Sequence, residues 1–522
     1  MPFRLLLAAV MLTLALPARA QAGGEVACVD GVAPLPGVGA FPCSRVALVG
    51  HLPPSAFAVG LSGESSHNDL WGWTDPETGV EYALVGTANG TGFVDLSVPT
   101  RPRLVGKLPT ATTAIPWRDI KVYRDHAFVV SEAFGHGVQV FDLTRLRGQT
   151  GAAVTFTADA RYTGLGSAHN VVVNEETGFA YAVGSQPSAD MPSSCSARGF
   201  HAISIQDPKS PTFAGCFSDV AQDASSRYPG YTHDAQCVIY RGPDADYTGR
   251  EVCFGANENV VTAFDVTDKQ NVRLISQAAY PQSAYTHQGW LTEDHRYLLA
   301  NDELDERNGL VPTQRTVVLD VQDLDSPEVA LTYSSGLVTT DHNLYVRGRY
   351  AFQSNYESGL RILDISGMEE GTLSEVAFFD TYPASTEVSF NGQWSNYPYF
   401  KSGLVVVNDI NSGLFVLRPD VEFTADTPSA PSAPAGYALS DPFPNPTASG
   451  ARLALRVDEA QQVQADLYDV AGRRVAAVFS GTVGPGAEVR LEVSGVDLPA
   501  GVYLIRVRGE RFEASRQLAL TR

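Results

Sequence analysis

The chain has 522 residues, of which 44% are hydrophobic and 10% aromatic, and it carries a formal net charge of −21. That length calls for more than one module. The charge would repel nucleic-acid phosphate and anionic lipid, and no basic cluster overrides it.

The first twenty residues read as a secretory signal. Arg4 supplies a positive start, Leu5 to Leu16 a short apolar run, and Ala18-Arg19-Ala20 a small-x-small cleavage site. This predicts an exported protein, and no later stretch has the length of a transmembrane helix. Residues 21–44 form an N-terminal segment with two of the six cysteines. In an exported chain these six suggest disulfides. Sequence alone allows fifteen pairings; locality favours Cys28–Cys43, Cys195–Cys216 and Cys237–Cys253, each flanking one short loop or hairpin.

From residue 45 to 419 a unit recurs. His67, His169, His233, His287 and His342 open similar segments: SHND, AHNV, THDA, THQG and DHNL. Arg118-Asp119 and Gln393-Trp394 fill the same slot in two further units, and the slots are 51–64 residues apart. After each slot come an apolar run, a turn, and a second run such as YALVG (82–86). A third run such as GVQVFDLT (137–144) often ends in Asp, and a Pro-containing turn leads to a fourth such as RLVGKLP (103–109). Short β-branched and aromatic runs between Gly, Pro and Asp turns are strand signals. Four strands per unit of about fifty residues is the pattern of a propeller blade. The seventh unit has three strands, and RVALVGHLP (45–53) mimics the fourth strand of the first. We therefore expect an all-β, seven-bladed β-propeller closed by its N-terminal strand. A Pro/Ala/Ser-rich linker (420–436) follows, then a small antiparallel, immunoglobulin-like β-sandwich over 437–522.

The C-terminal module opens with LSDPFPNPTAS, continues with LYDVAGRRVAAV and closes with LPAGVYLIRV. In these motifs it resembles the type A sorting domain of type IX secretion. The resemblance implies passage through the periplasm and across the outer membrane by the type IX machinery. Attachment to the cell surface or release would follow. The 25–419 region contains WRDIKVYRDHAFVVSEA, SAHNVVVNEETGFAYAVG and YTHQGWLTEDHRYLLANDELDE. It resembles the LVIVD-repeat proteins of the choice-of-anchor B group, which implies the fold and export but no established activity.

In a propeller the first strand of each blade lines the channel. Its start and the end of the second strand share one face, so the slot residues should meet carboxylates there. Glu132, Asp302-Glu303, Glu357 and Asp409 follow their slots by fourteen to sixteen residues, and Glu258 follows after a longer hairpin. Three readings stay open. His67, His169, His233, His287 and His342 with Glu132, Glu258, Asp302, Glu303 and Glu357 could ligate zinc, manganese or calcium and support a hydrolase or lyase. The same mouth, with Arg118, Asp119 and Trp394, could instead bind an extracellular ligand; Trp71, Trp117 and Trp290 also lie close to slots. Or the ring is structural, filling polar needs in a narrow channel. The acidic run Asn301–Gly309 offers hard-cation ligands without EF-hand spacing. No G-x-S-x-G elbow, P-loop or H-E-x-x-H helix occurs.

Overall fold

Valine, isoleucine, leucine and aromatic residues crowd the runs noted above, and each run is a strand. The computed structural model describes residues 24–57, 66–186, 188, 195, 198–219 and 229–423. Of the C-terminal module it describes 437–439, 442, 445, 447, 449–457, 459–469, 473–485, 489–494, 498–509 and 512–521. The signal sequence and residues 424–436 of the linker lie outside them. The chain divides into two units, Met1–Thr424 and Ala425–Arg522.

The larger unit holds seven antiparallel meanders among its described residues. Their first strands are His67–Thr74, Arg118–Tyr123, Asn170–Asn174, Asp234–Ile239, Thr286–Leu291, Leu344–Arg347 and Gln393–Tyr397. Each lies beside the first strand of the next meander, and the seventh lies beside both the sixth and the first. Seven hydrophobic clusters fill the gaps between successive sheets. Leu84 and Phe93 of the first sheet meet Val129 and Phe141 of the second; Val406 and Val416 of the seventh meet Leu70 and Val85 of the first. The strands are therefore apolar on both faces, and each such side chain contributes about 1.5–3 kcal/mol by leaving water. Six of the seven meanders carry a register shift between their third and fourth strands, as at Phe93/Val94 and Ile362/Leu363. Such a bulge sharpens local twist.

Val46–Leu52 pairs antiparallel with Gly413–Pro419 and supplies the fourth strand of the seventh sheet. Gly50 is required there, because a Cβ would collide with the Pro99 carbonyl oxygen. The preceding segment does more than carry cysteines. Val32–Leu35 and Gly39–Ser44 form a hairpin that extends the sixth sheet through Cys43↔Phe379. In the second meander the run after the third strand detours to the first sheet, where Val154–Thr155 pairs parallel with Gly106 and Lys107. The disulfides are Cys28–Cys43, Cys195–Cys216 and Cys237–Cys253.

In the C-terminal unit two sheets share one core. Leu453, Leu455 and Leu491 of a three-stranded sheet belong to the same cluster as Leu467, Ile505 and Leu518 of a four-stranded one.

Candidate functional site

The ladder registers place each slot opposite the end of the second strand. Arg118 faces Ser131, Thr286 faces Asp302, and Gln393 faces Asp409. Four imidazoles meet at this end. The ring centres of His169 and His233 are 4.2 Å apart, those of His233 and His287 4.1 Å, and those of His287 and His342 4.2 Å. With Arg118, Trp117 and Trp394 they line a space of about 10 Å³. That is the room of one water molecule or one ion.

Backbone carbonyls of the next unit orient two of the rings. His233 donates from Nδ1 to the carbonyl oxygen of His287 at 2.9 Å, and His342 donates from Nδ1 to that of Trp394 at 2.6 Å. A ring that donates from Nδ1 keeps a lone pair on Nε2 when neutral. Burial keeps these rings neutral: His342 is lowered to about 3, and His233 and His287 fall well below the ordinary imidazole value. His169 behaves differently. Burial opposes its charge, yet the Nδ1 bond to Glu132 at 2.6 Å raises it.

Glu303 is the carboxylate that reaches the cluster. Its Oε1 lies 4.0 Å from Nε2 of His287 and 3.8 Å from Nε2 of His342, and accepts from the Tyr356 hydroxyl at 2.7 Å. Burial lifts its carboxyl to about 7. One ligand atom from each of His287, Glu303 and His342 falls within 4.8 Å of the others, a span that suits one metal ion. The Nδ1 of His287 is buried with no hydrogen-bond partner. Arg118, which lines the space, is 2% exposed, donates to the Thr87 carbonyl and to His136, and leaves Nη2 without a partner among the described residues. Burial lowers its guanidinium to about 10.

Other residues expected at this site stand elsewhere. His67 leaves the cluster: its Nδ1 bonds Asn408 Oδ1 at 2.7 Å and its ring packs on Phe57. Asn408 and Phe57 hold the imidazole there, and its buried Nε2 has no hydrogen-bond partner among the described residues. Asp119 turns into the channel, where it accepts from Lys121 at 2.6 Å and from the Val171 amide at 2.8 Å. Asp69 and Asp234 share that channel, and burial lifts each to about 7. Asp302 and Asp409 hold loops, accepting from the Ala284 and Tyr285 amides and from Thr381 and the Ser412 amide respectively. Glu357 accepts from Ser389 and from the Glu387 amide, which turns it away from the imidazoles. Tyr356 takes its place: it bridges to Gln393 as Glu258 bridges to Thr286, so it is the true counterpart of Glu258. Glu258 does not line the space. In the acidic run, Asp305 pairs with Arg315 at 2.6 Å.

Sequence reasoning missed Tyr356, Tyr285 and His136. The repeated Tyr-Thr-His of 231–233 and 285–287 was the available signal for Tyr285, whose ring centre lies 5.2 Å from that of His233. Nothing in the local sequence marked Tyr356 or His136.

The C-terminal strands carry a separate determinant. Residues 442–520 match the secretion system C-terminal sorting domain. This marks the chain as a type IX secretion substrate, sent to the cell surface or released. No described helix is long and apolar enough to cross a membrane. No curated protein matches the chain. Among solved structures it is similar to PorZ, a bacterial surface component of the type IX secretion system of Porphyromonas gingivalis. The identity is 15% and the TM-score 0.40, over 88% of this chain and 60% of PorZ. It is also similar to a protein from Lactobacillus plantarum (13% identity, TM-score 0.40, 82% of this chain and 99% of that one). A third likeness is to the C-terminal WD40 domain of Sif2, with 8% identity and TM-score 0.39 over 73% of this chain and 92% of that domain.

Proposed function

We propose that the chain is an exported seven-bladed β-propeller that holds one divalent metal ion in its histidine-lined mouth. The cyclic contact of the seven first strands and the seven shared cores support the propeller. The observation that carries the metal is the convergence of His287 Nε2, His342 Nε2 and Glu303 Oε1, the carboxylate oxygen lying 4.0 and 3.8 Å from the two nitrogens, with both imidazoles also lining the space of about 10 Å³. A saccharide or peptide needs far more room, so the volume favours an ion over an organic ligand inside this ring. Two neutral imidazoles and a carboxylate suit zinc or manganese better than calcium, which takes six to eight oxygens. A bound cation would also offset the cost of an ionised, buried Glu303. The hydrogen bond from Tyr356 would orient that ligand.

The test is metal uptake. Protein stripped with a chelator is dialysed against zinc or manganese and its bound metal measured. One ion per chain is expected, lost in the double substitution His287→Ala, His342→Ala. No uptake by the native protein sinks the proposal.

A second reading gives the ion work to do, as Lewis acid in a hydrolase or lyase. The unpartnered Nη2 of Arg118, which lines the same small space, favours it, because a water or hydroxide beside the ion would satisfy that donor.

A further inference from the structure

The first strands have a second end. Three or four residues beyond each slot, every one of the seven units lends a side chain to a basin of about 460 Å³. Small-molecule sites fall in this range, about 300–1,000 Å³. One wall is aromatic: Trp71, Trp290, Tyr397 and Tyr399 are all half-buried and line the basin. Tyr345 backs them, its ring centre 5.6 Å from that of Trp71 and 4.9 Å from that of Trp290. Gly72 makes room for the wall, since a Cβ there would strike the Tyr397 ring.

The polar lining mixes acceptors with donors. Glu175 and Glu293 bring exposed carboxylates. Lys121 lies 4.6 Å from the Trp71 ring centre, and Arg241 is bound to Glu176 at 2.6 Å on the rim. This mixture selects among ligand classes. An organic cation would meet Lys121 and Arg241, and an anion would meet Glu175 and Glu293. A neutral polyol can donate to the carboxylates and accept from the cations while its C–H faces pack on the rings.

We propose that this basin is a ligand site for a neutral saccharide, at the opposite end of the first strands from the imidazoles. Among the described residues none lines both spaces, so this site stands or falls apart from the metal.

Calorimetric titration of the whole chain with tetrasaccharides of glucose, mannose, xylose and N-acetylglucosamine tests it. At least one should bind with Kd below about 1 mM, about −4 kcal/mol. Trp290→Ala should weaken it by about tenfold or more, as expected for loss of an aromatic anchor. Because Trp290 also packs on Tyr345, the exposed Glu175→Gln is the second variant; it should weaken binding several-fold at unchanged melting temperature. Both variants should take up metal like the native chain. The proposal is overturned if no tetrasaccharide binds, if neither substitution weakens binding, or if choline or a lysine peptide binds in their stead.

Discussion

His233 gives its Nδ1 proton to the backbone carbonyl of His287, 2.9 Å away in the next unit. Ring orientation in one sheet thus depends on backbone position in its neighbour, and the cluster is set by packing between sheets. Replacing His233 by Ala should therefore loosen His287 and weaken zinc binding about 10–100-fold, the usual range for a residue that orients a ligand. Competition with a chromogenic chelator measures it; unchanged affinity would show that His287 needs no such support.

Glu303→Gln preserves size and the contact with Tyr356 but removes the carboxylate. Without metal the variant should melt higher than the native chain, since the charge it deletes is buried and burial lifts it to about 7. With zinc the order should reverse. Paired melting curves with chelator and with zinc decide this.

Acid should expose the worth of Asp75. Burial opposes its ionisation, but Arg147, Thr78 and the Glu77 amide together bring it to about 2, against 3.8 for the ordinary group. A depressed carboxyl stabilises the fold fully above its unfolded value and loses that contribution as pH falls through the folded one. Asp75→Asn should lower the melting temperature at pH 5, and the difference should shrink steadily toward pH 2. A gap independent of pH would mean that shape, not charge, matters at this position.

Cys237 and Cys253 face each other across two strands, 16 residues apart in sequence. By loop entropy their bond is worth about 3 kcal/mol. The double alanine variant should lose about that much unfolding free energy in a denaturant titration, with the metal site intact.

Deleting 437–522 should leave the larger unit folded in the periplasm of a host that carries type IX secretion. Cell fractionation reads the outcome. Normal display at the surface would mean that export does not depend on the sorting domain.

Strand order was legible because each unit repeats the same turn chemistry. The slot histidines could be ranked as one set, and the opposing second-strand ends followed from antiparallel pairing. Side-chain direction was not legible. Asp302 and Glu303 are neighbours in sequence, yet the strand ends at Asp302 and Glu303 opens the turn, so the two reach different partners. The one-residue offset between Glu357 and Tyr356 likewise lies in a positive-φ turn, with Tyr356 at φ 39°. The tryptophans divide for a similar reason. Trp117 and Trp394 flank slots, whereas Trp71 lies four residues further on, about 13 Å along an extended strand. That distance carries it to the opposite end. His67 shows the limit of repeat logic, because an asparagine and a phenylalanine from elsewhere decide where its ring rests.

The strand at Val46–Leu52 finds its partner at Gly413–Pro419. In a chain made from its N-terminus, one of the first strands of this unit must wait for the last. A fragment broken anywhere before residue 413 keeps an open edge ready to pair with another molecule. Closure thus acts as a check on completeness: only a chain that reaches residue 419 can fasten its first strand, and the sorting domain comes after the strand that does so.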